Sequence, residues 1–346
     1  MTARTDAIQE LILRPPMDVS WLADRFLKMV ASQWLRHVPP TLGDAPLGSN
    51  EKQAVKVPFI AETYARACYS MLLLSARAPL LIRILIRIAQ NLPINRQGAI
   101  GCAGLAVSLL KLVVPYSFHR QLALMSTLMA VVDIVLDEAA PAGQGSVLRI
   151  ASMLSRQPEV ATNVREVALG TLTRSIRARE SEWQMAYWDT VLFPAVRKYC
   201  AAEAFAASNV PDTTGLGHRW AGIEAAIKGM WYVLGPHMGL SNAVEGFAQP
   251  GWNSQQQWMA DTSLLMQMVD DWIDQDVDRG LRPTPVLAGA WTLQTIKELY
   301  ARTMTDLCVL FEECGIHSKI LQDLFRDLYA DYMHRAVEAM KSGSAA

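Results

Sequence analysis

Apolar residues recur at intervals of three and four along almost the whole chain, and few runs alternate at two. A period of 3.6 gathers side chains on one stripe of a helix, whereas a strand needs a period of two. The pattern therefore predicts an all-α fold. Proline and glycine punctuate it. They predict helices at about 59–77, 80–91, 98–114, 116–139, 147–156, 160–181, 184–208, 214–246, 254–276, 291–314 and 317–341. The breaks fall at Pro79, Pro93 and Pro115, and Pro194 and Pro236 are expected to kink their helices. Residues 1–50 hold a helix at about 19–35 and a breaker-rich link from His37 to Asn50, and read as an amino-terminal arm. Residues 51–346 read as a single all-α domain.

Composition narrows what such a domain can do. The chain is 51% hydrophobic and 19% charged, a balance that suits a deeply buried bundle or a protein handling a greasy ligand. A net charge of −1 gives no reason to expect nucleic-acid binding. The five cysteines, Cys68, Cys102, Cys200, Cys308 and Cys314, are scattered and lack zinc-site spacing, which points to a reduced, cytoplasmic setting. Residues 1–10 carry acids and no apolar core, unlike a signal peptide. The apolar stretches at 71–89 and 100–114 are interrupted by basic residues and read as buried helices, not membrane spans. The six histidines form no di-iron or zinc signature, and no Gly-x-Ser-x-Gly elbow is present.

Against this background two acidic clusters stand out. Asp133-Ile-Val-Leu-Asp137 follows the apolar run 122–132. Asp270-Asp271-Trp272-Ile273-Asp274, with Asp276 and Asp278 beyond it, follows the apolar run 264–269. Residues four apart share a helix face, so Asp133 aligns with Asp137, and Asp270 with Asp274 and roughly Asp278. Like charges so stacked repel, and burying one costs several kcal/mol unless it is paired or binds a metal. Two such placements predict a divalent-cation site for an anionic substrate.

Mg²⁺ suits that donor set, because it takes hard oxygen ligands and usually shares them with substrate phosphates. Two acid-bearing helices facing each other would hold such ions around a diphosphate, and the metal would neutralise the leaving group. If the substrate is an allylic diphosphate, its departure leaves a carbocation that aromatic faces can steady. Trp183, Trp188, Trp220, Trp231 and Trp272 fall in the half of the chain expected to line that pocket, although core packing is the ordinary role of any one tryptophan.

Together these residues resemble the class I isoprenoid synthases. Asp133-x-x-x-Asp137 is similar to the Asp-x-x-x-Asp of squalene and phytoene synthases and of the large terpene synthases. The segment 270–279 resembles the Asp-Tyr-x-Ile-Asp-Gln-Glu-x-Asp-Arg pattern of the tetraprenyl-β-curcumene synthase family, the class IB cyclases. Asp270, Ile273, Asp274, Gln275, Asp278 and Arg279 match it, and Asp276 replaces its Glu. Gly280-Leu-Arg-Pro-Thr-Pro285 departs from the Gly-Asp-Leu-Asn-like continuation of that family, which leaves substrate length and product open.

The resemblance implies a helical bundle with two facing Asp-rich helices, about three Mg²⁺ ions, and ionisation of a linear all-trans prenyl diphosphate to a terpene and diphosphate. It implies that Asp133, Asp137, Asp270, Asp274 and Asp278 hold the metals and that Arg279 lies beside the diphosphate. Trp183, Trp188 and Trp231 are then the expected substrate-contacting aromatics. Two other readings stay open: head-to-head joining of two prenyl diphosphates, and isoprenoid binding without turnover. A greasy product makes peripheral membrane contact plausible, and a homodimer is the ordinary prior for a helical enzyme.

Overall fold

The computed structural model describes residues 80–91, 114–139, 144–207, 216–238, 252–279 and 284–313, with isolated positions between 68 and 109 and between 315 and 338. The predicted arm at 1–50 lies outside the described residues, as do most of the predicted helices at 59–77, 98–114 and 317–341. Among the described residues every regular element is helical and no strand occurs, so the all-α expectation holds.

The helices, in order, are α1 Leu80–Asn91, α2 Tyr116–Ala139, α3 Gln144–Met153, α4 Val164–Arg177, α5 Glu182–Tyr187, a π-helical turn Trp188–Leu192, α6 Phe193–Ala207, α7 Leu216–Met238, α8 Trp252–Asp278 and α9 Leu293–Glu313. Local chemistry sets several of their starts. Asn163 caps α4 by accepting the Glu166 N–H. Ser181 and Gln184 form a reciprocal capping box at α5, each side chain receiving the other's backbone N–H. α1 and α2 begin directly after Pro79 and Pro115, as the breaks predict.

The region expected to be one kinked helix at 184–208 is instead α5, the π turn and α6. Pro194 explains the difference. It has no N–H to give, and its ring crowds the carbonyl four residues back. The chain answers upstream by widening one turn, so the Phe193 N–H reaches the carbonyl of Trp188, five residues back. Pro236, by contrast, lies inside α7, near its end.

Packing makes α7 the central strut. It packs against α6, α8 and α2, while α8 also packs on α9, and α2 on α3 and α4. Met230, Trp231, Tyr232, Val233 and Leu234 are five consecutive buried residues of α7. A helix apolar all round must be enclosed all round. α2 is similar: Leu122, Ala123, Leu124, Met125, Leu128, Val131 and Val132 are all buried. Its length and hydropathy would allow it to cross a membrane, but its side chains are enclosed by the neighbouring helices, as in a core helix.

Candidate functional site

Two buried hydroxyls of α2 before Asp133 are satisfied within the helix. Ser126 and Thr127 are buried, and each hydroxyl donates to the carbonyl four residues earlier at 2.8 Å. Asp133 is the first carboxylate of α2 and is half-buried, between buried Val132 and Ile134. Met125, Met129 and Asp133 follow one another at successive turns of the same face. The two methionines line an apolar pocket closed by Trp188 and Leu192 of the π turn and by Phe193 and Val196 of α6. Asp133 therefore lies one turn past the methionine wall. Asp137 is one turn further along α2, and its side chain lies outside the described residues.

On α8 the two adjacent aspartates divide their roles. Asp270 is half-buried, and the Gln267 Nε2 group donates to its Oδ2 at 3.4 Å. Asp271, 100° round the helix, is buried. Its Oδ1 accepts from Arg219 Nη2 of α7 at 2.6 Å and from Gln267 Nε2 at 3.2 Å. The acid-bearing turn of α8 is thus pinned to α7 by an ion pair withdrawn from water. Asp276 and Arg279 are exposed at the end of the helix, and the Arg279 N–H closes the last turn on the Gln275 carbonyl. The side chains of Asp274 and Asp278 lie outside the described residues.

Of the five expected donors, only Asp133 and Asp270 have described side chains. Among the described residues no three Asp, Glu, His or Cys side chains converge as a metal-ligand group. Asp133 and Asp270 are both half-buried oxygen donors on helices that pack against α7, which is the chemistry a hard cation requires.

Trp183, Trp188 and Trp231 are all buried. Trp183 stacks on Tyr187 at 4.6 Å between centroids and lies directly over Gly235 of α7. Trp231 is wholly enclosed in the core. Trp188 alone of the three lines the apolar pocket. Its Nε1 donates to the Leu154 carbonyl at 3.2 Å, its ring meets Tyr232 edge-on, and the Arg177 guanidinium lies 5.2 Å from its centroid. Arg177 is held in turn by Glu180, which also accepts the Tyr232 hydroxyl at 2.9 Å. Trp220 is exposed and Trp272 is half-buried.

Three features escaped the sequence reading: the Arg219–Asp271 pair, the Gln267 bridge between the two aspartates, and the π turn that presents Trp188 and Leu192. The first had a signal. Asp271 shares a face with Met268 and Leu264, so the apolar stripe of α8 runs into it, and Arg219 opens a similarly apolar helix. No family model matches the chain, and no curated protein or solved structure is significantly similar to it.

Proposed function

We propose that the protein is a Mg²⁺-dependent terpene synthase of the class I isoprenoid synthase type, acting on a linear all-trans prenyl diphosphate. One observation carries the reading: on α2 an apolar, aromatic-walled pocket gives way, within a single turn, to the half-buried carboxylate of Asp133. A prenyl diphosphate has the same polarity, a long hydrocarbon joined to an anion. Asp133 and Asp137 from α2, and Asp270, Asp274 and Asp278 from α8, are the groups that would hold Mg²⁺. Bound Mg²⁺ would supply Lewis-acid neutralisation of the departing diphosphate.

The remaining tasks fall to the chain itself. The Arg219–Asp271 pair fixes the rotation of α8, and with it the direction in which Asp270 faces. The methionines and Leu192, which leave room for only about one water molecule between them, would part to admit the hydrocarbon, keep water from it and set its fold. Trp188 offers its ring to the developing cation, on a scaffold made rigid by its hydrogen bond to Leu154. Arg279, exposed at the end of α8, belongs in this reading to the entrance where the diphosphate arrives. A reduced cytoplasm is the proposed setting.

The test is incubation of purified protein with Mg²⁺ and all-trans prenyl diphosphates of fifteen, twenty and twenty-five carbons. Inorganic diphosphate and a hydrocarbon or alcohol from one substrate molecule are expected. Asp133→Ala and Asp270→Ala are each expected to lower diphosphate release by about a hundredfold or more. A product of doubled carbon number would instead establish head-to-head coupling. Full activity in both variants would remove the site.

A further inference from the structure

α1 exposes an apolar arc that nothing in the proposed reaction uses. Ile82 and Ala89 anchor the helix to the core, and Gln90 Nε2 donates to the Gly315 carbonyl at 2.8 Å. Away from these anchors Leu80 is 75% exposed, Leu81 48%, Ile84 43% and Ile88 40%. At 100° per residue, Leu80, Ile84, Ile88 and Leu81 occupy one continuous arc of about 100°. Exposed Arg83 and Arg87 border its edge. Four large aliphatic side chains on a single two-faced helix are more than scattered surface hydrophobicity, and they mark a docking face.

Charge identifies what the face fits. From Glu62 to Asp133 the chain has no intervening acidic residue, yet it carries Arg66, Arg77, Arg83, Arg87, Arg96, Lys111 and Arg120. Within α1 itself the charged residues are Arg83 and Arg87, both basic and both exposed, so the apolar arc is bordered by positive charge alone. A second copy would bring the same positive charge against it, whereas an anionic bilayer brings the opposite sign. We propose that α1 docks the protein in the plane of an anionic membrane surface, with Leu80, Leu81, Ile84 and Ile88 among the acyl chains and the two arginines at the phosphate level. This stands apart from the proposed reaction and would hold for a chain with no synthase activity.

The experiment is co-sedimentation of the full chain with phosphatidylcholine vesicles, with and without roughly a third phosphatidylserine, beside sedimentation velocity and thermal melting without lipid. Binding that depends on phosphatidylserine is expected. Arg87→Gln should weaken it by about fivefold. Leu80→Ser, Ile84→Ser and Ile88→Ser together should abolish it while leaving the melting temperature in place, because those side chains already face solvent. Failure of the native chain to bind would overturn the proposal, as would equal binding by the triple variant. A dimer that the triple variant splits, without vesicle binding, would assign the face to a second copy. A large fall in melting temperature would assign it to another part of the same chain. Either result also overturns the membrane proposal.

Discussion

Arg219 Nη2 and Asp271 Oδ1 lie 2.6 Å apart with their side chains only 8% and 1% exposed, joining α7 to the acid-bearing turn of α8. Removing one partner from such a pair strands a charge that water cannot reach. Arg219→Leu is expected to cost about 3–5 kcal/mol, measured by urea unfolding. The double variant Arg219→Leu, Asp271→Leu should recover most of that, because neither charge is then left behind. No recovery would mean that the pair does not act as a unit.

Gly235 and Trp183 form a second lock, between α7 and α5. A Cβ at position 235 would overlap the six-membered ring of Trp183. Gly235→Ala should therefore lower stability by about 1–3 kcal/mol, although alanine is the better helix former. In a Trp183→Leu background the same substitution should cost little or become favourable. A double-mutant cycle in thermal melting reads the coupling directly, and additive effects would show that the ring can move aside.

Several elements were readable from residue order alone. The bounds of α1 and α2 follow from Pro79 and Pro115 and from the apolar stripe between breaks. The acid-bearing turns were readable because charge interrupts apolar runs at helical spacing. The partner of Asp271 was not, since Arg219 lies 52 residues away and only packing brings them together. The choice between Asp270 and Asp271 as the buried member was equally hidden, because it depends on how α8 is rotated against α7. At the π turn, Pro194 announced a disturbance but not whether the helix would bend or widen.

Stability at low pH should carry the mark of Glu166. Arg149 donates to both of its oxygens, Nε at 2.9 Å and Nη2 at 2.8 Å, and the Thr162 backbone N–H adds a third bond at 2.6 Å. The Arg149 hydrogen bonds lead in holding this carboxyl down, from an ordinary 4.5 to about 2, against the opposing effect of burial. A depressed carboxyl favours the folded state fully above its unfolded value and loses that contribution as pH falls toward its folded one. The contribution should fade between about pH 4.5 and pH 2. Glu166→Gln should be less stable than the native chain at pH 7, with the difference shrinking through that window. A difference constant across the window would show that the carboxylate charge is not what stabilises this corner.

The pocket and the carboxylates can be separated by a change at Met129. This side chain lines the pocket four residues before Asp133, so a tryptophan there would fill the cavity while leaving both carboxylates of α2 in the chain. Overpacking should cost about 1–3 kcal/mol, and circular dichroism would check that the helices remain. Under the proposed function, Met129→Trp should lower hydrocarbon formation by about a hundredfold, since the chain could no longer fold behind its diphosphate. Calorimetric binding of inorganic diphosphate with Mg²⁺ should be unchanged, because neither ligand needs the pocket. Asp133→Ala should do the reverse, weakening diphosphate binding while leaving the pocket open. If Met129→Trp formed product at the native rate, the hydrocarbon would have to lie elsewhere, and the assignment of this pocket would fail even if the acids proved to bind metal.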